Sequence, residues 1–281
     1  MNKRTVAIIH FNTPELTEAA ILSLRKHGGE DYQVIVFDNS ADITIPPDSQ
    51  GNGPKETLVI NARPFKKKMK GVKIIDNTKG QQIDFDKFLA GYPDRNARLG
   101  VWKSSVWGSA KHIRTVQWLW DNIKAPFILM ESDTLLKRDI NEMWREEYSF
   151  VGYVQKNQHG NKFKVPRILP FLCFMNVPKF VAEGCNYFDP NRCYGLKADE
   201  NDRGNWYDTG ATILEDVLTH RPKLKGLHMD IRIFILHYGG GSWHQNDLPN
   251  QQRWLETNKA LWYTEPASKP QTAKRANSKK D

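Results

Sequence analysis

A mixed α/β fold, with a mostly parallel central sheet flanked by helices, is predicted by three features of the sequence. Short apolar runs alternate with amphipathic stretches from the first residues, the runs stop at polar turn residues, and one continuous apolar run lies at 127–130. Residues 5–11 (TVAIIHF) read as the first strand. Asn12 or Thr13 then caps a helix with Pro14 in its first turn, and Leu16, Ala19, Ala20, Ile21 and Leu24 line its buried face. Gly28 and Gly29 end it. Residues 34–37 form the second strand, stopping at Asp38-Asn39-Ser40, and residues 72–75 the third, closed by Asp76-Asn77. Between them, residues 42–54 are rich in Pro, Gly and Asn and depart from the rhythm. Val106, Ala110, Ile113, Val116, Leu119 or Trp120, and Ile123 mark one face of a helix over 106–123.

The apolar run after Pro126 suits a strand buried on both faces, and it ends directly in Glu131-Ser132-Asp133. Ligands bind such sheets at the carboxyl ends of their strands. Two carboxylates one residue apart on that edge can hold a hard divalent cation that also accepts substrate oxygens. Short acidic triplets recur by chance, and context separates them. Asp84-Phe85-Asp86 falls in a short amphipathic helix with Ile83, Phe88 and Leu89, and Glu200-Asn201-Asp202 in a polar loop. Only the triplet at Glu131 closes a strong apolar strand.

After Asp133 the texture changes. Residues 140–148 read as a helix, 150–155 and 169–175 as strands, and 185–206 as an irregular polar loop. Asp208 or Thr209 caps a helix reaching to about 220. Residues 231–236 are a last strand, running into His237 and the glycines Gly239, Gly240 and Gly241. The chain beyond 264 reads as a flexible basic tail.

Length and charge bound the function. The 281 residues suffice for one large α/β domain or two small ones, and a formal charge of +9 points to acidic partners. Lys66, Lys67, Lys68, Lys70 and Lys73 concentrate part of that charge, as a solvated loop or as a surface for peripheral contact with a membrane or anionic polymer. Cys173, Cys185 and Cys193 are too few and too irregularly spaced for a disulfide framework or zinc knuckle, which suits reduced thiols in the cytoplasm. No signal peptide of adequate apolar length and no run of transmembrane length is visible, so membrane contact is expected to be peripheral.

Taken in order, these motifs resemble a GT-A type glycosyltransferase, similar to family 2. They are Asn12-Thr13 after the first strand, Asp38-Asn39-Ser40 after the second, the acidic triplet, and the late His237 before a glycine-rich turn. The resemblance extends to about residue 245. It implies a nucleotide-binding fold, a nucleotide-sugar donor with UDP-sugars favoured, a divalent metal (Mn or Mg), and transfer with inversion to a carbohydrate or other hydroxyl acceptor. It places Asp38 at the nucleotide base and Asp133 on the metal, and adds a general base. Asn12, Thr13, Glu131 and Ser132 are expected around the nucleotide sugar, in a donor half over 1–135 and an acceptor half over 136–265 of one domain, with 266–281 a tail. Two departures stand out: the triplet opens with Glu rather than Asp, and about thirty residues carrying the lysines are inserted between the second and third strands.

Chemistry supplies further candidates. A neutral imidazole at His237 could complete the coordination or contact the diphosphate, and the glycines after it allow close backbone approach. Ser109 and His112 are three apart on one helix face and are candidate donor contacts, with packing of His112 into a neighbouring loop as the competing reading. Inversion needs a carboxylate by the acceptor hydroxyl; Asp208 follows an aromatic-rich loop, and Glu215-Asp216 with Arg221 is the rival, expected to be solvated. Trp206 and Trp243 offer planes for an acceptor sugar to stack on. Three other classes compete: a retaining transferase, a nucleotidyltransferase, which would want a Gly-rich loop with Lys or Arg after the first strand, and a basic binding module without catalysis.

Overall fold

The computed structural model describes residues 3–28, 31–45, 56–91, 103–156, 165–193, 207–239 and 248–264. The first strand, β1 (Arg4–His10), leads through Asn12, at φ 55°, into α1 (Pro14–Gly28). β2 (Tyr32–Asp38) follows, then the short hairpin strands β3 (Ile43–Ile45) and β4 (Leu58–Ile60), and β5 (Val72–Asp76). Two helices, α2 (Phe85–Ala90) and the long α3 (Lys103–Ile123), precede β6 (Phe127–Glu131) and β7 (Thr134–Leu136). The second half adds β8 (Phe150–Gln155), β9 (Arg167–Met175), α4 (Val177–Ala182), α5 (Ala211–Thr219), β10 (Gly226–His228), β11 (Ile235–His237), α6 (Leu248–Thr257) and α7 (Lys259–Trp262).

Seven strands form one sheet in the order β10-β8-β9-β6-β1-β2-β5. β1, β2, β5 and β6 pair in parallel, as do β8 and β10, and only β9 runs against its neighbours. The fold is therefore mixed α/β with a mostly parallel sheet, as the sequence predicts, and both halves of the chain contribute strands. Alternate side chains feed two cores. Val6, Ile8, Val34, Val36, Ile128 and Met130 pack with Ala20, Ile21 and Leu24 of α1. Ala7, Phe37, Phe127 and Leu129 pack with Ile113, Val116, Leu119 and Trp120 of α3 and with Ile213 and Val217 of α5. Trp120 and Phe127 are almost wholly buried, which closes the second layer over the sheet.

Two local expectations differ from the structure. The apolar pattern at 140–148 gives only a 3-10 turn at Asn141–Met143, because the Asp139 carboxylate accepts from Asn141 N at 2.9 Å and Trp144 leaves helical geometry at ψ 86°. The run 231–236 is not one strand. Asp230 caps a 3-10 turn at Ile231–Ile233 by accepting from Arg232 N at 3.1 Å, and only Ile235–His237 pairs as β11. Near 264 the chain is helical in α6 and α7, which pack on α1 through Leu255 and Leu16; the tail expected beyond 264 lies outside the described residues. Cys173, Cys185 and Cys193 are free and buried, and no helix among the described residues is long and apolar enough to cross a membrane.

Candidate active site

In-register pairing brings the strand ends to one edge. His10, Asp38 and Asp76 are aligned across β1, β2 and β5, and Glu131 stands opposite Ile9 on β6. Asp133 lies in the tight turn between β6 and β7. Antiparallel pairing of β7 with β11 sets His237 opposite Thr134, and Tyr238 N donates to the Asp133 carbonyl at 3.0 Å. That pairing carries a residue a hundred positions downstream onto the acidic turn. His237 Nε2 stands 3.1 Å from Asp133 Oδ1 and 3.3 Å from Glu131 Oε2, and its ring stacks on Phe171 with centroids 3.8 Å apart.

Among the described residues, Glu131, Asp133 and His237 are the one group whose ligand atoms lie within 4.8 Å of one another. Donors bound at about 2.1 Å and at right angles around a divalent cation stand about 3.0 Å apart, close to the separations here. His237 Nε2 is buried and faces both carboxylates, so a cation between them would meet one nitrogen and two carboxylate donors. The residues fit a metal, and they bring Glu131 into the donor set, which the sequence reading gave to Asp133 and His237. Burial alone would lower the His237 pKa; the Asp133 and Glu131 carboxylates outweigh it and raise it to about 10. Burial pushes the Glu131 carboxyl up, against the pull of His237.

A second histidine borders the same carboxylate. His112 Nε2 is 4.0 Å from Glu131 Oε1, while Nδ1 is 3.0 Å from Thr209 Oγ1, which is also 3.0 Å from the Tyr187 hydroxyl. When Tyr187 donates to Thr209, the single Thr209 proton goes to His112 Nδ1 and the His112 N–H lies on Nε2, facing the carboxylates. Burial holds His112 down at about 4, so it is neutral near pH 7. The competing loop bond of His112 is thus present, on Nδ1, while Nε2 is turned toward Glu131.

Gly210, at φ 81°, explains how Asp208 reaches this region. A Cβ there would stand 2.1 Å from the Ile168 carbonyl, so only glycine lets the start of α5 press on β9. The contact sets Asp208 against Arg167, whose guanidinium binds Asp208 Oδ2 and, through Nε, Gln155 Oε1 at 3.0 Å. Asp208 Oδ1 accepts from Thr209 N at 2.8 Å, while the helix itself begins one residue after Gly210. Asp208 is therefore a bound carboxylate beside the cluster rather than a plain helix cap. Its rival Asp216 is not solvated as expected: it is 5 % exposed and paired at 2.7 Å with Arg192, which also holds Glu215 and Asp189. All of α5 from Ala211 to Leu214 is buried, so the helix has no solvated stripe there.

The base-side candidates are engaged with backbone. Asp38 Oδ1 accepts from Ser40 N at 2.9 Å and Oδ2 from Phe65 N at 2.7 Å. Asn12 donates to the Ala41 carbonyl at 2.8 Å and accepts from Arg63 N at 3.0 Å. Thr13 Oγ1 meets Ser132 Oγ at 3.3 Å, joining the β1 and β6 ends. Asn39 and Asn77, read only as strand stops, form a buried chain: Asn77 to Asn39 at 3.0 Å and Asn39 to Thr115 at 2.8 Å. Ser109 lies in α3, whose described side chains begin at Ala110; Trp206, Trp243, Gly240 and Gly241 lie outside the described residues. Arg167, Thr209, Tyr187 and Phe171 carried no local signal in the sequence, since only the pairing of β9, α5 and β11 assembles them.

No protein-family model and no curated protein sequence matches the chain. Solved structures match at low identity. The glycosyltransferase GlyE of Streptococcus pneumoniae TIGR4 is 12% identical with a TM-score of 0.43, over 95% of this chain and 66% of that one. The galactosyltransferase LgtC, in complex with donor and acceptor sugar analogs, is 13% identical with a TM-score of 0.45, over 94% and 98%. The bifunctional glycosyltransferase WbbM is 10% identical with a TM-score of 0.35, over 82% and 39%. The chain thus spans just under two thirds of GlyE and well under half of WbbM. These are likenesses of chain path, and the chemistry has to be argued from the site.

Proposed function

We propose that this protein is a metal-dependent glycosyltransferase that moves a sugar from a nucleotide-sugar donor, with UDP-sugars first in line, to an acceptor hydroxyl. The supporting observation is the convergence of Glu131, Asp133 and His237 at the carboxyl edge of a parallel sheet. A cation held there would act as a Lewis acid on the departing diphosphate. The nitrogen in the donor set favours Mn over Mg, which keeps to oxygen ligands.

The remaining work falls to side chains. His112 Nε2–H donates to an acceptor oxygen of the donor, and Thr13 and Ser132 contribute hydroxyls at the joined ends of β1 and β6. Asp38 and Asn12 shape the base side by fixing the 39–41 and 63–65 segments, and Ser109 is a further donor contact. In transfer the bond from the anomeric carbon to the diphosphate oxygen breaks and a bond to the acceptor oxygen forms. The acceptor proton passes to Asp208, with inversion. Trp206 and Trp243 stack the acceptor. Residues 1–135 serve the donor and 136–265 the acceptor within one domain, and three free cysteines suit the cytoplasm.

A second reading is retention. The specific observation in its favour is that both Asp208 oxygens are engaged, by Arg167 and by Thr209 N. The anomeric configuration of the product, read by proton NMR, separates the two. The reading as a whole is tested by calorimetric titration with UDP, GDP and dTDP in manganese or EDTA. Metal-dependent binding of one nucleotide, lost in Asp133→Ala, supports it; no binding in any condition overturns it.

A further inference from the structure

The lysine-rich insertion is a strap with two sides. It begins at the functional edge, where the Arg63 carbonyl accepts from Ser40 Oγ at 3.1 Å and Phe65 N donates to Asp38. It ends where Arg25 of α1 donates to the Lys70 and Gly71 carbonyls at 3.4 and 3.3 Å. Between these anchors Phe65, 2 % exposed, and Met69, packed on the core, turn inward, while Lys67 is exposed and paired with Glu18 of α1. Lys66, Lys68 and Lys70 are exposed, as is Lys73 on the neighbouring edge strand β5. The charge on this face is not compensated from α1: Glu15 and Glu18 are spent on Arg63 and Lys67.

We propose that Lys66, Lys68 and Lys70 form a docking surface for anionic phospholipid headgroups, holding the functional edge beside a membrane. The choice of lipid over nucleic acid follows from what the outer side lacks. The strap's aromatic, Phe65, is buried, so no plane is offered for bases to stack on. None of the outward residues is an arginine, whose fork reads bases and phosphates by geometry. Lysines are point charges on flexible stems, suited to headgroups that move laterally. The strap is also pinned at both ends, so presenting the lysines costs no ordering of the backbone. The inference stands apart from the transfer chemistry and survives if that fails.

The test is co-sedimentation of the full-length protein with phosphatidylcholine vesicles, with and without phosphatidylglycerol, at low and high salt. Wild type is expected to bind only the anionic vesicles and to be released by salt. The triple variant Lys66→Glu, Lys68→Glu, Lys70→Glu is expected to lose more than about 100-fold in binding, since removing three lysines that contribute about fivefold each already loses that much and the glutamates add repulsion. The corresponding Gln triple should lose less. A control triple with the same charge change on exposed lysines elsewhere, Lys87→Glu, Lys124→Glu, Lys225→Glu, should stay near wild type. Equal loss in both triples assigns the effect to overall charge and overturns the docking surface, as does an absence of anionic-vesicle binding by wild type. Strap-dependent binding of a single-stranded oligonucleotide without vesicle binding replaces lipid by nucleic acid.

Discussion

Two stretches of the same sheet edge differ in how their polar groups are satisfied. At the β1–β2–β5 end, Asn12, Asp38, Asn39 and Asn77 are buried and bonded to backbone or to one another. At the β6 end, His237 Nε2 stands between the Asp133 and Glu131 carboxylates, and His112 Nε2 is buried 4.0 Å from Glu131. The first stretch is held by bonds within the chain, and the second turns two carboxylates and two histidine nitrogens toward one another, the arrangement the proposed cation would use. Residues predicted together as nucleotide contacts therefore divide into those that build the edge and those that face outward from it.

The largest effect that would break this contrast is on stability at the scaffold end. Asp38→Ala removes two hydrogen bonds from a buried carboxylate and leaves Ser40 N and Phe65 N without it, an expected loss of about 3–5 kcal/mol in urea unfolding. A loss under about 1 kcal/mol would make Asp38 a ligand-facing residue after all. At the cluster end, Asp133→Ala should lower manganese affinity by about 100-fold or more, and it also takes from His237 a carboxylate that raises its pKa.

A smaller effect concerns pH. His10, buried at the scaffold end, is held below its ordinary pKa chiefly by desolvation, opposed by Asp38. Its unfolded form takes up a proton near 6.5 and its folded form does not. Stability is therefore full above that pH and falls as pH drops below 6.5, by up to about 1.4 kcal/mol per unit until the folded group protonates. His10→Gln should flatten that slope in urea titrations between pH 7 and 5; an unchanged slope would remove His10 from the account. The smallest effect is at the relay. Thr209→Val should release the His112 tautomer, visible as a changed pair of imidazole nitrogen shifts in NMR, with a several-fold loss of turnover.

How much of this was legible in the sequence follows the same division. β1, β2, β5, β6 and β8 are apolar runs stopped by turn residues, and each was placed to within two or three residues. The 231–236 run failed because one cap, Asp230, outweighs apolar continuity. Asp133 and His237 were readable as a strand-end acid and a strand-end histidine. The reason they meet was not, since it rests on the antiparallel pairing of two three-residue strands, β7 and β11. Arg167 lies just before the expected strand at 169–175 and carries no signal there, and Asp216 reads as an exposed helix acid; Gly210 and Arg192 supply their surroundings.

The most direct test of the contrast is a manganese titration by calorimetry of wild type, His237→Ala and Asn39→Ala. The account predicts saturable binding to wild type, loss of it in His237→Ala, and retention in Asn39→Ala despite a lower unfolding midpoint. Binding that survives His237→Ala and disappears with Asn39→Ala would place the cation at the other end of the edge and contradict the assignment.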